Sequence, residues 1–192
     1  GYSHRFDHVI VDNSHNFFQE PIPGTATIYN CRKYFGVADG AYLITDSRLD
    51  RELDTDQSYA RMNYLLGRFE AGAGQFYGEY AANNKLFATE PVRYMSLLTH
   101  NLLRPVDYDA VKQKREKNYK YLHQQLGSSN LLQLNNPSET PGPFAYPYRI
   151  KDGERVRKEL IAHKIYIPTL WEEAIPTCGE DSLEAEYIRT IL

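Results

Sequence analysis

Short apolar runs closed by polar residues punctuate the first quarter of the chain. "FDHVIVD" (residues 6–12) sets Val9, Ile10 and Val11 before Asp12, "TATIYN" (25–30) is rich in β-branched residues, and "AYLITD" (41–46) is another apolar run ending in an acid. Runs of this length, separated by loops that contain Gly24, Gly36 and Gly40, predict strands of a mostly buried α/β sheet. From about residue 47 the pattern turns helical. Leu49, Leu53, Ala60, Tyr64, Leu65 and Arg68 recur at mixed spacings of three and four until Gly72 and Gly74 end the run.

"PVRYMSLLTHNLL" (91–103) predicts a further helix that stops before Arg104-Pro105. Asp107 can then cap a long helix reaching about Leu126, with Gly127 beyond its end. The break at Pro105 is the expected domain boundary, dividing residues 1–104 from a smaller domain at 105–192. After the long helix come "LLQL", a proline-rich loop (137–143), a strand at "FAYPYRI" (144–150), an amphipathic helix at "GERVRKELIAHK" (153–164) and a strand at "IYIP" (165–168). That order describes a small α+β unit.

Composition narrows the classes of function. At 192 residues and 42% hydrophobic content the chain can bury a core. A net charge of -3 gives no general attraction to nucleic acid or to an anionic membrane. Lys112, Lys114, Arg115, Lys117 and Lys120 crowd one helix but scatter around it, which predicts a solvated face and no nucleic-acid partner. No apolar run is long enough for a membrane helix, and no secretion signal opens the chain. Cys31 and Cys178, far apart in sequence, suit a reduced, cytoplasmic protein. The 16 tyrosines predict core edges and identify no activity.

Two other patterns are set aside. "GAGQFYG" (72–78) has its third glycine one residue late for a dinucleotide fingerprint and follows a helical pattern. His4 and His8 lie on an extended segment, and His100, His123 and His163 fall on separate elements, so no metal site is expected.

The polar cluster after "HVIV" carries more chemistry. In an open α/β sheet the ligand crevice lies beyond the carboxyl ends of the strands, where Asp12 stands; the alternative is that Asp12 only begins a turn or caps a helix. "TIYNCRKYFGVADGAYLITD" then brings Lys33 into a loop between two strands. A lysine beside an acid-tipped strand is what a Schiff-base enzyme requires: the amine binds a cofactor aldehyde while the acid keeps a pyridine nitrogen protonated.

"VIVDNSH" followed by "YNCRKYFGVADGAYLITD" resembles the Asp-x-x-His/Gln strand end and lysine loop of fold type I pyridoxal-phosphate enzymes, in particular the DegT/DnrJ/StrS sugar aminotransferases. "VDYDAVKQKREKNYKYLHQQL" resembles that group's long helix with an Arg-x-x-Asn pair, here Arg115 and Asn118, and "KIYIPTLW" resembles a strand of its small domain. The resemblance implies part of a large cofactor-binding domain with a mainly parallel sheet, followed by a small α+β domain. It implies pyridoxal 5'-phosphate as cofactor, with Asp12 at the pyridinium nitrogen, His15 against the ring and Lys33 as the cofactor-linked, proton-shuttling lysine. Burial of that lysine beside a cationic or apolar wall favours the amine form this role needs.

The implied reaction moves an amino group from an amino acid donor such as glutamate to a nucleotide-linked keto sugar, in a homodimer that serves polysaccharide biosynthesis. Where the family places a phosphate-binding serine, this chain has Asn30 or, displaced, Thr27; a slip of one residue puts Arg32 at the lysine position, but Tyr34-Phe35-Gly36 keep Lys33 in register. The family also has a half that precedes the Asp strand. The chain therefore reads as an incomplete fragment, inactive alone, or as a non-catalytic remnant or interaction module that keeps the fold.

Overall fold

A computed structural model describes residue 6 and residues 8–134 and 140–192. His4 and the first part of the proline-rich loop lie outside the described residues. The chain forms two compact units: Gly1–Arg115 with Thr140–Phe144, and Glu116–Glu139 with Ala145–Leu192.

In the first unit the three apolar runs form β1 (Ile10–Asp12), β2 (Ala26–Asn30) and β3 (Ala41–Ile44), in the order β1-β2-β3. β1 runs parallel to β2, with Asp12 opposite Ile28, and β3 runs antiparallel, with Ala41 opposite Asn30. The sheet is therefore small and mixed rather than mainly parallel. The connection from β2 to β3 is too short for a crossover, so the chain turns back beside β2, whereas residues 13–25 are long enough to return in parallel. The sheet is also less buried than the apolar runs predict. Thr27 and Tyr29 of β2 are buried, but Ile10, Leu43 and Ile44 are exposed.

Gly40, the residue before β3, has φ 104°, and a Cβ there would stand 2.9 Å from the Thr99 methyl; no side chain fits that approach. Next to it, Asp39 is buried and accepts hydrogen bonds from Ser96 N (2.7 Å), Ser96 Oγ (3.0 Å) and the Thr99 hydroxyl. Ser58 Oγ adds a bond to Ser96 Oγ at 2.6 Å. Around this network lie two apolar clusters: Cys31, Val37 and Leu103, and Ala38, Tyr64 and Leu65.

The helical run expected from residue 47 begins later, as a short turn at Tyr59–Arg61 and then α1 (Asn63–Ala71). Residues 54–56 are extended instead, because Asp54 O and Asp56 N bond to Tyr94, each at 2.9 Å. The same pairing holds residues 91–95 out of the helix predicted there. α3 covers only Leu97–Leu103, capped by Ser96 Oγ, which accepts from Thr99 N at 3.1 Å. α2 (Tyr77–Leu86), between them, was not predicted. α4 (Tyr108–Leu126) matches its prediction, cap included: Asp107 Oδ1 accepts from Ala110 N at 2.9 Å. The division of the chain into two units falls within α4.

The second unit holds the end of α4, then α5 (Gly153–Ala162), α6 (Ile175–Cys178) and α7 (Leu183–Thr190). Only α5 of the expected small α+β pattern appears as predicted. Among the described residues this unit has no strand: "FAYPYRI" makes a single bridge, Arg149 to Ile191, and Ile165 and Tyr166 of "IYIP" are exposed. Its joints are polar. Asn130 Oδ1 accepts from Leu132 N and Arg149 N, both at 3.0 Å, and Arg157 donates to Ile191 O at 2.6 Å. No helix among the described residues is long and apolar enough to cross a membrane.

Candidate functional site

Because β1 and β2 are parallel, their carboxyl ends lie side by side in the first unit. Asn13 N extends the pairing by donating to Ile28 O at 2.8 Å. Asp12, the last residue of β1, is exposed, and its Oδ1 accepts from Ser14 N at 2.8 Å, an Asx turn that starts the crossover. Hydrogen bonds from the Ser14 hydroxyl and amide, together with the charges of His15 and Lys33, hold the Asp12 carboxyl below the usual carboxylate range.

β2 ends in a 3-10 turn, Cys31–Lys33, capped by Asn30, whose Oδ1 accepts from Arg32 N at 2.9 Å. The turn delivers Lys33 to the side on which Asp12 and His15 stand. Its Nζ lies 5.7 Å from the centroid of the Phe144 ring, and the His15 ring lies 4.8 Å from the same centroid. Burial lowers the pKa of His15, the positive charge of Lys33 lowers it further, and Asp12 opposes both. Asp12, His15 and Lys33 therefore come within electrostatic reach of one another. Lys33 itself is exposed, so the buried setting expected for it is absent.

The two candidates for holding a phosphate are otherwise engaged. Thr27 is fully buried, with its hydroxyl 3.4 Å from Thr25 O, and Asn30 Oδ1 is the cap of the turn. Neither presents a free donor row such as a helix N-terminus supplies.

Arg115, read from sequence as part of a solvated basic face, instead organises this site. Its guanidinium lies 4.4 Å from the Tyr34 ring centroid and donates to the carbonyls of Phe144 (3.2 Å) and Pro143 (3.4 Å). Tyr34 in turn donates its hydroxyl to His15 O at 2.7 Å. Burial pushes the Tyr34 phenol up and lowers the Arg115 guanidinium, as partial removal from water does to either charged form. Phe144 is thus fixed through its own backbone, and the crossover loop through His15. The signal for this lay in helical spacing: Tyr108, Val111, Arg115 and Tyr119 recur at three and four and share the less exposed face of α4.

Aromatic packing completes the floor. Phe17 meets the rings of Phe35 (4.9 Å), Tyr34 (5.5 Å) and Tyr108 (6.1 Å). The chain comes close at Gly142, where a Cβ would fall 2.3 Å from Phe18 Cδ2. No cluster of groups suited to a metal ion occurs among the described residues, and both cysteines are free. Searches against protein-family models, curated proteins and solved structures return no match to this chain, so the arrangement of Asp12, His15 and Lys33 is what a functional reading has to work from.

Proposed function

We propose that the chain is related to the pyridoxal-phosphate aminotransferases, with Lys33 as the residue that links the cofactor. On this reading it is part of a fold type I protein, cytoplasmic and homodimeric, that transfers an amino group from an amino acid to a nucleotide-linked keto sugar. The reading is carried by the convergence of Asp12, His15 and Lys33 at the carboxyl ends of two parallel strands. Exposed large apolar side chains such as Phe69 and Leu97 support an association with a second copy.

Bound pyridoxal phosphate supplies an aldehyde and an electron-accepting ring. Asp12, ionised at neutral pH, would accept a hydrogen bond from the pyridine nitrogen, and His15, in its neutral form, would flank the ring. Lys33 would hold the aldehyde end through its amine, and its Nζ would be the atom that carries a proton. Residues 12, 15 and 33 thus fit the ring and aldehyde ends of the group. The phosphate end does not draw on Thr27 or Asn30, since both are committed within β2 and its cap.

Those commitments, with the exposure of Lys33, favour a second reading: a module that keeps the site's outline without turnover. Reductive trapping separates the two. With less than one equivalent of pyridoxal phosphate, borohydride followed by peptide mapping is expected to label Lys33 ahead of the other lysines, and Asp12→Ala is expected to lower that preference. Label spread evenly over exposed lysines would sink the aminotransferase reading and leave the second.

A further inference from the structure

A cleft of about 370 Å³ opens in the first unit between the end of β2, the residues after α2 and the approach to α3. Lys33, Asp12 and His15 do not line it, so it is independent of the pyridoxal reading. Three arginines reach it, and two are neutralised within it: Arg61 pairs with Asp56, while Arg93 Nη1 lies 2.5 Å from Glu90 Oε2 and 3.8 Å from Asp56 Oδ1. Arg32 differs. Among the described residues no carboxylate pairs with it; its Nη2 donates to the neutral Asn84 Oδ1, and its Nε is buried without an acceptor. Its guanidinium lies 4.6 Å from the Phe87 ring centroid, and that of Arg61 lies 5.5 Å from the same ring. Asp39 also lines the cleft and balances its formal charge, but its carboxylate is turned onto Ser96 and Thr99 and does not pair with Arg32. Two cations thus lie beside one ring and only Arg61 has an ionic partner, which leaves Arg32 able to take an anion.

We infer that this cleft binds small carboxylates with an apolar or aromatic body. A guanidinium is a planar fork that matches a carboxylate in two parallel hydrogen bonds. One guanidinium without an ionic partner, in a cleft whose formal charges balance, fits a monoanion; a phosphate dianion requires further donors, and Arg61 and Arg93 are already paired. The neighbouring surface is apolar and open: Phe87 is 40% exposed and Val92 70% exposed, and both line the cleft. The body of the ligand covers them, and its carboxylate faces Arg32.

The test is titration of the 192-residue chain with benzoate, its neutral isostere benzamide, and inorganic phosphate, followed by calorimetry and by NMR shifts at Phe87 and Val92. Benzoate is expected to bind saturably with a dissociation constant on the order of 1 mM, a value within reach of a ligand of that size. Benzamide and phosphate are expected to bind at least about tenfold more weakly. Arg32→Gln, which keeps a donor for Asn84, is expected to lose about tenfold for benzoate without changing benzamide. Equal affinity for benzoate and benzamide in the native chain, tighter binding of phosphate, or no saturation by benzoate overturns the proposal whether or not the variant folds. Unchanged benzoate binding by a folded Arg32→Gln does the same.

Discussion

His15 couples this site to pH. Its folded pKa lies below the ordinary value of 6.5 because burial disfavours the imidazolium and Lys33 repels it. Above 6.5 the ring is neutral in both folded and unfolded chains, and its full contribution to stability is present. As the pH falls below 6.5 the unfolded chain takes up the proton first, so stability declines until the pH has passed through the folded value. Asp12 acts in a separate, more acid window, since its depressed pKa contributes above 3.8 and is lost below it. The melting temperature should therefore drop between pH 7 and pH 5, and His15→Gln should flatten that drop. Parallel curves for the two proteins would contradict the assignment. At this scale the sequence was informative about position: Asp12 ends a strand and Lys33 stands in the turn between two strands, as expected, though Lys33 is exposed and not buried. It named Arg115 in a basic face and in an Arg-x-x-Asn pair but not its contacts, which depend on Tyr34 and on residues 143–144, far away in the chain.

Beside the sheet and the apolar clusters, one buried carboxylate ties two elements of the first unit together. Asp39 holds the loop before β3 onto the start of α3 through Ser96 and Thr99, and every partner is buried. Asp39→Ala strands three donors at once, which should cost about 3 kcal/mol, whereas Ser58→Ala, at the edge of the network, should cost about 1 kcal/mol. Urea unfolding of both variants measures the difference, and near-equal midpoints would show that the network is dispensable. The apolar runs foretold β1, β2 and β3 because strand identity there is local, and Asp107 foretold α4 because a cap is local too. Residues 54–56 failed that reading for the opposite reason: helical spacing was present, but a non-local partner, Tyr94, claimed their backbone. "IYIP" has β-branched residues but pairs with no strand among the described residues.

At the scale of the molecule, tyrosines and phenylalanines divide between packed and exposed places: rings gather around Phe17, while Tyr59 and Phe69 are exposed. The expectation that tyrosines sit at core edges holds for Tyr42 and Tyr108, which are half-buried beside Phe17, while Tyr34 is itself buried. What composition could not convey is that the two units would each have their own thiol, one hidden and one reachable. Cys31 is fully buried in the first unit, and burial, aided by the charge of Asp39, pushes its thiol up to about 12, while Cys178 in the second unit is only partly covered. A thiolate-seeking reagent should thus modify Cys178 promptly and reach Cys31 only when the first unit opens. Mass spectrometry of a labelling time course should show one early adduct and one late one, with Asp39→Ala advancing the late adduct. Simultaneous labelling would mean that the unit opens far more often than its packing implies. The protein in this way carries an internal clock: the second adduct times the breathing of the half that holds Lys33, with no residue having to be introduced for it.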